Sequence, residues 1–284
     1  MSVQSKTVSV HGSTMHYLSE GKGKPIVFLH GAPASSYLWR NILPKLGIKG
    51  HCIAPDFIGM GNSDKPDIQY TIHDHIKYFE GFIDALKLKD ITLVMLGMGS
   101  VVGMVYAEKH PENISGLVFI ESFLHVPKDE QEIPMLIQDL IPMMKDEKRL
   151  KEMVVDENYA LEKFLPSLTL KKLSPEILAV YRKPFETKES RVVLWQSVLE
   201  NPFFNSKSPL IPIINGYLRW LQTTHIPKLL LYVVPGFLVS IETVKWCTDN
   251  IPALTAVDIG FGLHYLPETI PDEISDALLA WMPS

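Results

Sequence analysis

Short apolar segments that alternate with helical segments constrain the fold of this chain more than any other feature. Continuous apolar runs of strand length occur at residues 25–29, 51–55, 91–96 and 114–120. Runs of this kind predict strands that are buried on both faces, as in a parallel sheet. Helical apolar spacing lies between them, at residues 70–88 and 100–110. Strands that alternate with helices predict an α/β fold with a doubly wound, mostly parallel sheet.

The alternation stops after Pro127 and resumes after His225. Between these positions the sequence predicts helical segments that are broken by prolines, at residues 136–144, 150–155, 159–164, 175–181 and 212–222. Strand and helix patterns then return, at residues 228–233, 241–250, 255–259 and 272–281. A helical insertion between two halves of one sheet is a cap. We therefore predict a core in two halves, residues 1–126 and 226–284, and a helical cap over residues 127–225.

Composition and charge argue against several classes of function. The 284 residues carry a net charge of −5, whereas a nucleic-acid-binding surface is basic and clustered. No apolar run approaches the roughly 18 residues of a membrane span, and the polar first residues lack the apolar stretch of a signal peptide. Cys52 and Cys247 lie far apart in apolar sequence, which indicates no disulfide framework. We expect a monomeric, cytoplasmic protein with no nucleic-acid or membrane partner.

The third apolar run ends in a sharp strand-to-helix turn, residues 95–100 (MLGMGS). In the α/β hydrolases a turn with this small-x-nucleophile-x-small pattern holds the nucleophile above the sheet. The register puts Gly97 at the nucleophile position, and glycine has no side chain. The same glycines also resemble a dinucleotide-binding G-x-G-x-x-G motif, but the third glycine, Gly103, comes one residue late. The flanking segments favour the hydrolase interpretation.

Five further segments follow each other in the order that one family shows. They are residues 30–41 (HGAPASSYLWRN), 54–66 (APDFIGMGNSDKP), 182–185 (RKPF), 227–230 (PKLL) and 262–266 (GLHYL). In these segments the chain resembles the haloalkane dehalogenases and the related coelenterazine-oxidising luciferases of the Renilla type. The resemblance covers nearly the whole chain. It implies the α/β-hydrolase fold, with a mostly parallel central sheet, helices on both faces and a helical cap insertion.

The resemblance assigns a histidine and an acid to the site. His264 stands at the position of the family's catalytic histidine, and Glu121 stands where one branch places the acid that orients it. A histidine that follows a glycine-rich loop near the end of such a chain fits general-base catalysis. We therefore predict that His264 and Glu121 are the catalytic residues.

The other family positions have lost their functional groups. The nucleophilic aspartate position is Gly97, and the halide-holding asparagine and tryptophan positions are Ala32 and Met98. Leu96 replaces a residue that is usually polar. Dehalogenation needs a carboxylate to displace the halide and N–H donors to hold it. We therefore expect that dehalogenase activity is lost, and the luciferase interpretation is weakened by the same losses.

A dry, apolar pocket between core and cap is expected to bind the substrate. We predict that its lining includes Leu96, Leu124, His125, Phe237, Leu238 and Phe261. Ser100 lies one turn into the helix after Gly97, and we interpret it as a small packing residue. No metal-binding motif and no cofactor-binding motif is predicted.

Two classes of function remain open. The first is an enzyme without a protein nucleophile, in which His264, oriented by Glu121, acts as general base toward a proton of a small apolar or aromatic substrate, or toward water. The second is a non-catalytic binding protein in which the pair is a relic. A luciferase or another hydrolase-like activity is a further alternative. Engineered repurposing and natural divergence both fit these losses, and we favour the enzyme.

Overall fold

A single eight-stranded sheet forms the centre of the computed structural model, which describes residues 3–138, 140, 142 and 145–282. The strands are β1 (Gln4–Val10), β2 (Ser13–Glu20), β3 (Pro25–Leu29), β4 (His51–Pro55), β5 (Ile91–Gly97), β6 (Ile114–Ser122), β7 (Lys228–Pro235) and β8 (Leu254–Gly262). Their order is β1-β2-β4-β3-β5-β6-β7-β8. The strand β2 pairs antiparallel with β1 and with β4, and all other pairs are parallel. The predicted mostly parallel sheet is confirmed.

The first half of the core carries helices between these strands. They are a 3₁₀ turn (Ser36–Trp39), α1 (Leu43–Leu46), α2 (Ile72–Leu86), α3 (Met98–Lys109) and a second 3₁₀ turn (Pro111–Asn113). Helix α2 begins with a capping box, in which the side chains of Thr71 and Asp74 each accept a hydrogen bond from the other residue's backbone N–H. Helix α3 begins directly after the last residue of β5, so the turn between them is tight.

A helical insertion separates β6 from β7, as the sequence predicts. It contains α4 (Met135–Gln138), α5 (Glu147–Lys151), α6 (Leu165–Ser167), α7 (Pro175–Arg182), α8 (Val192–Glu200) and α9 (Leu210–Leu221). Single 3₁₀ turns (Glu130–Glu132, Lys183–Phe185, Glu189–Arg191) and π-helical turns (Glu152–Asp156, Ala160–Phe164) connect them. The predicted helix 136–144 lies in part outside the described residues. The cap boundaries at 127 and 225 stay a prediction.

The second half of the core contains α10 (Ile241–Asn250), α11 (Leu266–Thr269) and α12 (Pro271–Trp281). A buried polar cluster joins this half to the cap. Glu268 forms a bidentate ion pair with Arg40, and the hydroxyl of Tyr181 in α7 donates to the same carboxylate. Because Glu268 and Tyr181 are buried, this cluster fixes the cap over the carboxyl ends of the strands.

Two further findings bear on the expectations from composition. None of the helices within residues 3–138, 140, 142 and 145–282 is long and apolar enough to cross a membrane. Cys52 and Cys247 are buried free thiols, and burial raises the pKa of each to about 12.

Candidate active site

The turn between β5 and α3 has the strained backbone of a nucleophile elbow. Gly97 adopts φ 55° and ψ −130°, a conformation that side-chain-bearing residues rarely adopt. The hydroxyl of Ser100 donates to the carbonyl of Gly97 at 2.7 Å and accepts the amide N–H of Phe123 at 3.0 Å. Ser100 therefore holds the turn together, and its hydroxyl is engaged on both sides.

Close backbone contacts explain the second glycine of the turn. A Cβ at Gly99 would lie 2.7 Å from the carbonyl oxygens of both Leu29 and His30. Only glycine fits such a distance without a backbone shift. The turn is therefore packed directly against the end of β3.

Gly97 lies beside His264 in the lining of the same cavity. A Cβ at Gly97 would lie 3.4 Å from His264 Nε2, 3.5 Å from His264 Cε1 and 3.4 Å from the Cα of Gly31. These are ordinary van der Waals distances, so a side chain at this position would point at the imidazole without a clash. The structure thus places Gly97 directly against the imidazole ring.

His264 and Glu121 are brought together at the carboxyl edge of the sheet. His264 Nδ1 lies 3.3 Å from Glu121 Oε2, and both side chains are buried. Glu121 lies near the end of β6 and has a positive φ of 44°. When Nδ1 donates to the carboxylate, the neutral imidazole carries its lone pair on Nε2, which faces the Gly97 position.

Backbone groups orient the carboxylate and the histidine loop. Glu121 Oε2 accepts the amide N–H of Phe237 at 3.1 Å and that of Leu238 at 2.7 Å. The amide groups of His264 and Tyr265 both donate to the carbonyl of Leu168 in the cap, each at 3.2 Å. The positions of both side chains therefore depend on the loop after β7 and on the cap.

A cavity opens between core and cap beside His264. Its apolar lining comprises Gly31, Ala32, Ile72, Gly97, Met98, Phe123, Phe164, Leu210, Phe237 and Leu238. Its polar lining comprises Ser197, Glu200, Asn201 and His264. An adjoining cavity shares Ala32, Phe164, Ser197 and Asn201 with it and continues into the cap.

Aromatic rings in the lining of the cavity contact one another. The ring of Phe237 contacts His264 edge to face at a centroid distance of 5.5 Å. The ring of Phe164 contacts Phe237 in the same way at 5.9 Å. Such rings favour flat, apolar ligands.

The structure brings together most of the predicted site residues. Gly97, Ala32, Met98, Phe237 and Leu238 line the same cavity as His264, and Glu121 lies behind the histidine.

Four of the predicted lining residues lie elsewhere. Leu96 is completely buried within β5, one residue before the turn. Leu124 and His125 line a separate groove, which shares only Phe237 and Leu238 with the cavity. Phe261 is 69% exposed, because it lies on the edge strand β8. The assignment of these four residues to the cavity lining is therefore corrected.

Sequence reasoning missed the polar cap wall and Phe164. Ser197, Glu200 and Asn201 are spaced i, i+3 and i+4, which puts them on one helical face. That spacing was the available signal, but the segment reads as apolar overall. Burial raises the pKa of Glu200, whose carboxylate accepts the amide N–H of Ile72 at 2.8 Å.

No group of three or more histidine, cysteine or acidic residues that could hold a metal ion occurs in the described part of the chain.

The strand order, the strained turn after β5 and the histidine–acid pair at the strand ends define an α/β-hydrolase-fold protein. Comparison with protein families agrees, because the α/β-hydrolase-fold model matches residues 24–225. The chain belongs to this family.

Within the family, the chain is homologous to haloalkane dehalogenases. It is 33% identical over 279 residues to a haloalkane dehalogenase of Mesorhizobium japonicum, covering 97% of this chain and 90% of that protein. It is 34% identical over 275 residues to one of Agrobacterium fabrum, with the same coverage. The crystal structure of haloalkane dehalogenase DbeA from Bradyrhizobium elkani USDA94 superposes with a TM-score of 0.94 at 32% identity, covering 98% of this chain and 97% of that chain.

Proposed function

We propose that this chain is an enzyme in which His264 acts as general base on a small, flat aromatic substrate, without a protein nucleophile. Glu121 is the positioning residue that orients the imidazole. The observation that supports this proposal most strongly is that Gly97 and His264 line one cavity, with the Cβ position of Gly97 only 3.4 Å from His264 Nε2. In the proposal, a reacting C–H group or a water molecule takes the place of the family's nucleophile in this cavity.

The charge arrangement favours proton abstraction at Nε2. The Glu121 carboxylate lies against His264 Nδ1, on the side of the ring opposite the Gly97 position. The same carboxylate accepts the backbone amides of Phe237 and Leu238. The imidazolium that forms on proton transfer is stabilised by the adjacent carboxylate. A positioned general base of this kind contributes roughly 10²–10⁴-fold to a rate.

Dehalogenation is not part of the proposal. Gly97 has no carboxylate that could form an alkyl-enzyme ester, and the side chains of Ala32 and Met98 have no N–H donor. The scaffold of the dehalogenases is thus proposed to serve a different reaction.

The elimination of a 1,2-benzisoxazole tests the proposal. His264 Nε2 removes the C3 proton, the C–H electron pair forms the nitrile, and the N–O bond breaks to leave a phenolate. We expect His264→Ala to lower kcat/KM by roughly 10²–10⁴-fold with an unchanged dissociation constant for the substrate. The matched control is His125→Ala, which lies outside the cavity and should keep the rate. An unchanged rate in His264→Ala would contradict the proposal.

A non-catalytic binding protein is the second candidate. It is favoured by the structural contacts of Glu121, since a carboxylate that holds the Phe237 and Leu238 amides has a reason to persist without catalysis. Tight binding of aromatic ligands with no His264-dependent turnover of benzisoxazoles or activated esters would support it. Coelenterazine-dependent light emission would instead support the luciferase alternative.

A further inference from the structure

The cap wall of the cavity carries a polar face that the proton-abstraction chemistry does not use. Ser197 and Glu200 belong to α8, and Asn201 follows it directly. All three line the same cavity as His264. Their spacing of three and four residues places them side by side on the helix.

The Glu200 carboxylate has acceptor capacity to spare. Its Oε2 accepts the amide N–H of Ile72 at 2.8 Å, and its Oε1 accepts Gln196 Nε2 at 3.1 Å. A carboxylate offers about four lone-pair sites, so the two hydrogen bonds leave others free. The contact with Ile72 caps helix α2, but it occupies only one of these sites. Glu200 is 8% exposed, so a ligand donor that reaches a free site there meets a largely desolvated carboxylate.

Asn201 and Ser197 add a donor and a further acceptor. Asn201 Oδ1 accepts the amide N–H of Phe203 at 2.9 Å, while its Nδ2 hydrogens have no partner within the described ranges. The Ser197 hydroxyl donates to the carbonyl of Val193 at 2.8 Å, so its lone pairs remain available.

We propose that Ser197, Glu200 and Asn201 form a polar subsite for a substituent that both donates and accepts a hydrogen bond, such as a hydroxyl or a primary carboxamide. The substituent donates to Glu200 and accepts from Asn201 Nδ2. The proposal rests on the proposed function for the aromatic part of the substrate, and it narrows the substrate to aromatic compounds with such a group. A ligand without the donor leaves the buried carboxylate partly unpaired and binds more weakly.

Binding, measured without turnover, tests the subsite separately from the general base. The probes are 2-naphthol and 2-methoxynaphthalene, which differ by the hydroxyl donor. Isothermal titration calorimetry is done in the His264→Ala variant, so the naphthol cannot pair with the imidazole. We expect 2-naphthol to bind at least about tenfold more tightly, and this preference to fall to about twofold or less in Glu200→Gln, which still accepts from Ile72.

The control is Glu132→Gln, the same chemical change at a carboxylate in the separate groove, which should keep the full preference. A second variant, Asn201→Asp, keeps the acceptor for Phe203 and removes the Nδ2 donor. It should weaken 2-naphthol binding about tenfold, and it serves as the test if Glu200→Gln does not fold. Equal affinity for both probes, or a full preference in folded Glu200→Gln, overturns the subsite whatever the benzisoxazole rates show.

Discussion

The histidine side and the elbow side of the cavity are built in opposite ways. On the histidine side, side chains form the site: His264 Nδ1 lies against the Glu121 carboxylate, and the ring of Phe237 contacts the imidazole edge to face. On the elbow side, the backbone keeps the strained turn while the side chain at Gly97 is absent. The hydroxyl of Ser100 and the close packing at Gly99 hold that turn.

The contrast shows that the geometry of this turn does not depend on a side chain at position 97. The turn is fixed by contacts of its neighbours, Ser100 and Gly99, and a side chain at position 97 is not needed to hold it. On the histidine side, a substitution also disturbs the structure. Glu121 is tied to Phe237 and Leu238, and a change there alters both packing and charge.

A carboxylate at position 97 alone should not give the full dehalogenase activity of the relatives. We predict that the wild type releases no bromide from 1-bromobutane above background. Gly97→Asp should remain about 10²–10³-fold below the relatives, since the side chains of Ala32 and Met98 cannot donate to the departing halide. Bromide release followed by ion chromatography checks both variants. A family-typical rate in Gly97→Asp would show that the elbow side lacks nothing except the carboxylate.

A second buried imidazole shows what happens without a carboxylate partner. His75 in α2 is buried, neither of its ring nitrogens has a partner among the described residues, and burial lowers its pKa to about 4. The imidazole of His75 takes up a proton more readily in the unfolded chain, where its pKa is about 6.5, than in the folded protein. The stability that neutral His75 contributes is therefore complete above about pH 6.5 and is lost as pH falls toward 4. The expected loss is ~3 kcal/mol.

Urea unfolding at pH 7 and at pH 4.5 measures this loss. His30 is also buried with a lowered pKa and acts in the same direction, so the comparison is between the wild type and His75→Leu. The variant should lose clearly less stability over this interval. Parallel curves for the two proteins would exclude His75 as the acid-sensitive group.

Alanine variants at the two glycines of the turn should separate the effect of backbone strain on stability from the effect of a steric clash. Gly97→Ala puts a side chain on the strained backbone but meets only ordinary contact distances, so we expect a loss of about 1–3 kcal/mol in stability. Its methyl also covers Nε2 and should slow benzisoxazole turnover. Gly99→Ala, whose Cβ clashes with two carbonyl oxygens, should be the less stable variant by thermal unfolding. The reverse order would mean that the two glycines have been assigned the wrong roles.

The smallest expected effect concerns the charge behind the histidine. Glu121→Gln keeps an oxygen for the Phe237 and Leu238 amides but removes the charge that stabilises the imidazolium. We expect the maximal benzisoxazole rate to fall about tenfold, equivalent to ~1.4 kcal/mol, with circular dichroism unchanged. A rate equal to that of the wild type would reduce Glu121 to a structural role.

Apolar runs that alternate with helical segments were sufficient to predict the sheet, because strands buried on both faces are continuous apolar runs in the sequence. The order of motifs predicted the family, and it located His264, Glu121 and Gly97. The cavity wall was harder to predict. Phe261 resembles a lining residue in sequence, yet it lies on an edge strand and is exposed. Which side of a strand end faces a cap depends on how the cap packs, and the local sequence does not contain that information.

The polar residues of the cap wall are a second feature that the local sequence did not predict. The segment around Ser197 and Glu200 reads as apolar, because valines, leucines and Trp195 dominate it. Only the helical geometry of α8 gathers its polar residues on the cavity side.

The pH dependence of benzisoxazole elimination tests the central claim most directly. With kcat/KM measured from about pH 5 to pH 9, the wild-type rate should rise with pH and then level off, because only an unprotonated base can abstract the proton. His264→Ala should remove this pH dependence and leave a flat, low rate. A pH dependence that persists unchanged in His264→Ala would contradict the claim, because another group would then be the base.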